Sequence, residues 1–203
     1  MKRIVLMALL ALALPLAAFA GPTVDFATTG GTLTFASGVL SDSGAPTVIQ
    51  EVSNFPSLSS PIFGVDLGTI TFTTGAVSGS HFAAGGSFVI TGAGLDGLPS
   101  GTIFSGDFSG KGNLSIASGE LILSGPISGT WYSGMTVKGA TVQLTLPISK
   151  SDCTVVGDTA YSCAVGISSG DTNVTVPEPG TLGLLGTGLV GVAGMVRRKL
   201  FGA

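Results

Sequence analysis

The stretch Thr69-Ile70-Thr71-Phe72-Thr73 sets a hydroxyl against a large apolar side chain at every step. A period of two is that of a strand with one face buried. The same alternation runs through Thr32-Leu33-Thr34-Phe35, Asn113-Leu114-Ser115-Ile116 and Thr141-Val142-Gln143-Leu144-Thr145-Leu146. Further strand candidates are residues 48–52, 87–91, 102–108, 120–124 and 129–132, with glycine-rich turns between them. No stretch between Gly21 and Val176 carries a 3.6-residue apolar pattern, so the interior of the chain reads as all-β. Many short strands joined by turns predict an antiparallel β-sandwich, jelly-roll-like or similar. Phe26, Phe35, Phe63, Phe72, Phe88, Phe104 and Trp131 are its expected large core residues. The resembling segments FSGDFSG (from Phe104) and ISGTWYSG (from Ile127) read as two similar strand edges rather than a repeat.

The two ends differ from this interior. Lys2 and Arg3 precede an apolar stretch from Ile4 to Leu14 and small residues at Ala18 and Ala20. That order is the signature of a secretory signal peptide cut by signal peptidase after Ala20. At the other end the apolar run 181–196 would make about 24 Å of helix, slightly short of a bilayer core of about 30 Å. Arg197, Arg198 and Lys199 follow it. Their stems extend the apolar length, and their charges keep that end cytoplasmic and the preceding domain outside. The expected organisation is therefore a signal helix (1–20), an exported β domain (21–176) and a tail with a transmembrane helix (177–203).

Pro177 and Pro179 bracket Glu178 immediately before the apolar run. Proline removes a backbone donor and biases the residue before it towards extended conformations, which suits a segment to be laid along a protease cleft. Pro177-Glu178-Pro179, the apolar run and Arg197-Arg198-Lys199, in this order, resemble the PEP-CTERM sorting signal of exported bacterial proteins. The resemblance implies processing at or near the proline motif by a membrane-embedded, exosortase-type cysteine transpeptidase. It also implies passage across the inner membrane of a Gram-negative bacterium, transient anchoring there by the tail, and a surface, biofilm or exopolysaccharide setting. Gly180 stands where serine or alanine is common in such tails. The resemblance is silent on residues 21–176.

Between Gly21 and Val176 stand Lys111, Lys138 and Lys150 against ten carboxylates, a net charge of −7 with His81 neutral. Nucleic acid is an unsuitable partner for such a surface. Cys153 and Cys163 flank a segment with Gly157-Asp158 near its middle, and an even cysteine count in an exported chain predicts a disulfide across a hairpin.

Chemistry-bearing residues are sparse. His81 is the one histidine and sits in a loop-like context, no nucleophile elbow is present, and Asp107 with Glu120 is the nearest approach to a carboxylate pair. Residues 107–113 offer oxygen ligands but place Lys111 among them and lack EF-hand spacing. No cofactor or metal is expected, and no enzymatic activity. A surface or matrix structural protein is the expected function, with a carbohydrate-binding module as the alternative. In the latter, Trp131-Tyr132 would present one aromatic outward for stacking on sugar. Self-association is a further expectation if the uncharged segment 69–74 lies at a sheet edge; a central strand, paired on both sides, would remove it.

Overall fold

The computed structural model describes residues 22–42, 45–147, 153–155, 161–176 and 188. Residues 23–176 form one compact unit. Fifteen strands run through the described residues: β1 (Thr23–Thr29), β2 (Thr32–Ala36), β3 (Val39–Asp42), β4 (Thr47–Ser53), β5 (Ile62–Thr74), β6 (Val77–Ser78), β7 (His81–Phe82), β8 (Gly85–Ala93), β9 (Ser100–Phe108), β10 (Gly112–Ala117), β11 (Glu120–Trp131), β12 (Thr136–Pro147), β13 (Cys153–Val155), β14 (Tyr161–Gly166) and β15 (Ser169–Thr175). The expected all-β class is what the molecule has. The segments 120–124 and 129–132, read as separate strands, belong to the single strand β11 up to Trp131, with Gly125 and Pro126 paired within it.

The architecture corrects the sandwich expectation. Following the antiparallel ladders from β1 through β4, β5, β8, β9, β11, β12 and β15 leads back to β1, a closed eight-stranded barrel. Inward and outward side chains alternate in a barrel as they do in a sandwich, so the period-two pattern is common to both. Closure is decided by which strands pair, and β11 is where the difference arises. Its first half pairs with β10 and its second half with β9, while β12 follows it on the other side. The long strand thus belongs to the ring and also carries an outlying ribbon. On β5, likewise, β4 pairs with the earlier residues and β3 meets Thr73 on the same strand.

One side of every ring strand fills a common core. Phe26, Ile49, Ile70, Phe88, Ile90, Ile103, Phe104, Ile127, Val137, Leu144 and Val174 are all fully buried. Phe88 and Phe108 meet edge-on at 5.9 Å, and Phe82 and Phe108 at 4.9 Å. Of the aromatics expected in the core, Phe26, Phe72, Phe88, Phe104 and Trp131 are buried and Phe35 packs against the core while partly exposed. Phe63 is a correction: it is 68% exposed. The alternation of β5 is interrupted at Asp66, whose φ is +62°, and on the far side of that irregularity the pairing with Glu51 of β4 places Phe63 on the outer wall.

The two similar glycine-bearing segments lie side by side. Phe104 opposes Trp131, Gly106 opposes Gly129 and Phe108 opposes Ile127. A Cβ on Gly106 would stand 2.7 Å from Gly129 Cα, and one on Gly129 would stand 2.6 Å from Gly106 Cα. The likeness of the two sequences therefore reflects one shared crossing where the backbones approach too closely for side chains.

Strand direction gives the barrel two distinct rims. The proximal rim holds the start of β1 and the end of β15, paired as Thr23 with Thr175, together with loops 54–61 and 94–99 and turn 132–135. The distal rim holds the longer excursions that carry β2–β3, β6–β7, β10 and β13–β14.

Candidate functional site

The chain leaves the barrel from a strand held on both sides. β15 pairs with β1 along one edge and with β12 along the other, and Val176, the next residue, is buried. Pro177 follows directly. The last barrel strand thus fixes the point from which the proline motif departs, within a ring whose registers run over several consecutive pairs. Pro177, Glu178, Pro179, Arg197, Arg198, Lys199, Ala18 and Ala20 lie outside the described residues, as do the expected signal and transmembrane helices. Among the described residues no helix is long and apolar enough to cross a membrane.

Around that exit the proximal rim is closed by its own loops. Phe55, in the β4–β5 loop, is 1% exposed and stacks on Tyr132 at 5.9 Å with 14° between the ring planes, while its other neighbour, Trp131, lies at 5.5 Å. Ser57 Oγ donates to Gly97 O at 3.1 Å, tying that loop to the β8–β9 loop. The Tyr132 N–H donates to Ile103 O at 2.7 Å. Trp131 points into the core, and Tyr132 turns outward, 47% exposed. One exposed ring remains of the aromatic pair, and Phe55 lies along it. Sequence reasoning missed Phe55. Its signal was available: an aromatic beside proline in a loop of serines, "SNFPSLSS", has no strand face to occupy and serves as a plug.

On the outer wall, β10, β11, β12 and β15 border an open groove of about 400 Å³, with Asn113, Ser124, Thr141, Gln143, Asp171 and Asn173 among its lining residues. These residues come from outward positions of neighbouring ladders: Ser124 pairs with Gln143, Gln143 with Asp171, and Thr141 with Asn173. Next to it, Asp25 opposes Asn173 across the β1–β15 ladder, and Asp171 and Glu51 both oppose Ala27 from the two flanking strands. Burial raises the Asp25 pKa above the ordinary aspartate value, and the Asp171 and Glu51 charges push it the same way, against a lowering hydrogen bond from the Phe26 backbone. Asp25 Oδ1 is itself buried without a hydrogen-bond partner. Asp42 is raised as well, by burial above all; the Thr47 N–H (2.9 Å) and hydroxyl (3.2 Å) both donate to its Oδ2 and act in the opposite direction.

The remaining sequence candidates are scattered. Asp107 opposes Ser128 on β11, eight positions along that strand from Glu120, so about 26 Å of extended strand separates the two positions. A glycosidase pair needs about 5–10 Å, and this pair cannot serve as one. His81 sits in the short strand β7, opposite Ser78, with its Nδ1 3.1 Å from Ser80 Oγ, rather than in an open loop. Residues 107–113 join β9 to β10, and among the described residues no group of three or more His, Cys, Asp or Glu is placed to hold a metal ion. The backbone register sets Cys153 directly opposite Cys163. A bond between them lies outside the described side chains.

The segment 69–74 is interior to the sheet. Thr69 and Ile70 pair with β4 on one edge and with β8 on the other, and Thr73 pairs with both Ser41 and Ser87. The edge on which the self-association expectation depended is occupied, and the central-strand alternative holds for these residues.

A closed antiparallel barrel is followed in sequence by a proline motif, an apolar run and a basic cluster, the layout of a folded domain with a C-terminal sorting tail. Residues 175–199 match the family model described as the PEP-CTERM protein-sorting motif, so the chain carries a segment similar to that sorting signal. The match spans Pro177, Glu178, Pro179 and the basic cluster. It associates the chain with export, with an exosortase-type processing system and with a cell-surface or extracellular destination. No curated protein and no solved structure matches the chain.

Proposed function

We propose that this chain is a non-enzymatic structural protein of the bacterial surface or extracellular matrix, delivered by its tail and released when the tail is cut. The observation that carries this reading is the sorting-motif match, which begins inside β15 and leaves the barrel whole on one side of the cut. The signal peptide takes the chain across the inner membrane, the tail anchors it there, and an exosortase-type transpeptidase acts near Pro177-Glu178-Pro179. A closed barrel suits exposure outside the cell because it leaves no open edge around its ring. The scattered carboxylates and lone histidine favour no catalytic assignment. Neutral replacement of Arg197, Arg198 and Lys199 removes the positive-inside bias. The expected outcome is loss of orientation and retention, read by protease accessibility of the barrel in inner-membrane vesicles; unchanged orientation would contradict the role given to the basic cluster.

The groove supports a second reading as a carbohydrate-binding module. Amides and hydroxyls from Asn113, Ser124, Thr141, Gln143 and Asn173 supply both donors and acceptors to vicinal sugar hydroxyls, and Asp171 disfavours an anionic polymer. Retardation of the protein in gels cast with neutral polysaccharide, abolished by Gln143→Ala with Asn173→Ala, would favour this reading over a purely structural role.

A further inference from the structure

Apolar side chains left in water on a folded domain cost free energy unless something covers them for part of the protein's life. Among the described residues, the exposed large apolar side chains are Phe63, Val65, Leu95, Tyr132 and Ile116. The first four lie at the proximal rim: Tyr132 in turn 132–135, Leu95 in loop 94–99, and Phe63 and Val65 in the first residues of β5. The ladder between β5 and β8 begins at Gly68, so the segment bearing Phe63 and Val65 runs past the end of β8 while Ile62 and Phe63 stay paired with β4. Ile116, on β10, belongs to the distal side.

The rim that gathers these side chains is also the one from which the chain departs. Four residues, 177–180, separate Val176 from the apolar run that starts at Thr181. Fully extended, they reach about 14 Å. A tail inserted in a bilayer therefore keeps the proximal rim within a short reach of the lipid surface, whereas the distal rim is under no such restraint. Aromatic and aliphatic side chains at the level of the headgroups gain burial, and tyrosine in addition keeps its hydroxyl hydrated. Asp66 and Asp96 are exposed beside Val65 and Leu95, and the domain carries a net negative charge, so the complementary surface is zwitterionic rather than anionic.

We infer that the proximal rim is a membrane-docking face, with Phe63, Val65, Leu95 and Tyr132 seated in the interface of a zwitterionic bilayer while the tail is uncut. The inference rests on the reading of residues 181–196 as a membrane anchor and adds to it a second, weaker contact made by the barrel. Docking holds the exit strand against the membrane, and cutting the tail leaves only that weak contact, so the processed barrel departs.

The test uses the intact chain in phosphatidylcholine vesicles with brominated acyl chains, which quench indole at close range. Phe63→Trp places a reporter on the proximal rim and Ile116→Trp places one on the distal side. Both positions are exposed, at 68% and 73%, so neither substitution disturbs the core, and Trp131 contributes the same buried background to each. The expected result is a blue-shifted emission from Phe63→Trp that loses most of its added intensity in brominated vesicles, with no change for Ile116→Trp. Chain that floats with the vesicles while Phe63→Trp stays unquenched overturns the docking and leaves the anchor standing. Chain that fails to float overturns both. A blue shift that grows with protein concentration and ignores bromine assigns the rim to contact between copies of the chain, and also overturns the inference.

Discussion

Asp25 concentrates the unfavourable electrostatics of the barrel wall in one side chain. Its carboxylate has one oxygen buried without a partner and faces two further carboxylates, Asp171 and Glu51. A pKa raised in the folded state means that folding favours the protonated form. The associated stability is complete below the unfolded value, near 3.8, and is lost as pH rises through the folded value. The barrel should therefore gain stability when acidified from neutral into the carboxylate range. Asp25→Asn should melt above the parent at pH 7, with the difference narrowing towards pH 3.8; thermal melts of both proteins across this range check it, and a variant less stable at pH 7 would refute the assignment. Gly129 carries a steric constraint rather than an electrostatic one. Gly129→Ala forces the β9–β11 crossing apart and should cost about 1–3 kcal/mol, seen as a lower denaturation midpoint at unchanged slope. Ala at Gly38, whose Cβ would meet nothing within 4 Å but whose φ is +78°, separates backbone strain from this collision.

At the scale of elements, the alternating segments were legible because each strand has one face in the core, and β2, β4, β8, β9, β10 and β12 stand where the period placed them. The central half of β11 was hidden, since Gly125, Pro126, Ser128 and Gly129 carry turn chemistry while pairing in a strand. Phe63 was misplaced by residue type, and the irregularity at Asp66 breaks the alternation that would otherwise have carried its face from Phe72. Phe82 and Phe108 were absent from the expected core for a related reason. Phe82 lies over Gly112 and Gly125, and glycines give no periodic sign that a ring will occupy their space. The β13–β14 ribbon was read from its cysteines, and its register sets them opposite each other. Directly opposed strand residues have Cα atoms about 4.5–5.5 Å apart, within the range a disulfide spans. A bond there should leave no free thiol in unreduced protein; two free thiols would contradict it. Because β14 joins the sheet through β2 and not through the ring, reduction should release hydrogen-exchange protection in β13 and β14 while the barrel strands keep theirs.

For the whole molecule, period and turn spacing specify that strands form and which faces turn inward, but not which strand lies beside which. Ring closure depends on long-range pairs such as Thr23 with Thr175 and Phe104 with Trp131, for which alternation carries no information. The groove and the acidic trio were illegible for the same reason, since both are assembled from outward residues on strands distant in sequence. The tail, by contrast, was legible from residues alone: its proline motif, apolar run and basic cluster act as a contiguous signal, and the family match covers the same stretch. Under the proposed function this signal is consumed and the barrel is delivered without it. Mass spectrometry of surface material, from a host that has the sorting enzyme, tests this most directly. The predicted result is a mature chain beginning at Gly21, with the barrel complete through β15 and residues 181–203 missing; intact chain held wholly in the inner membrane would contradict it.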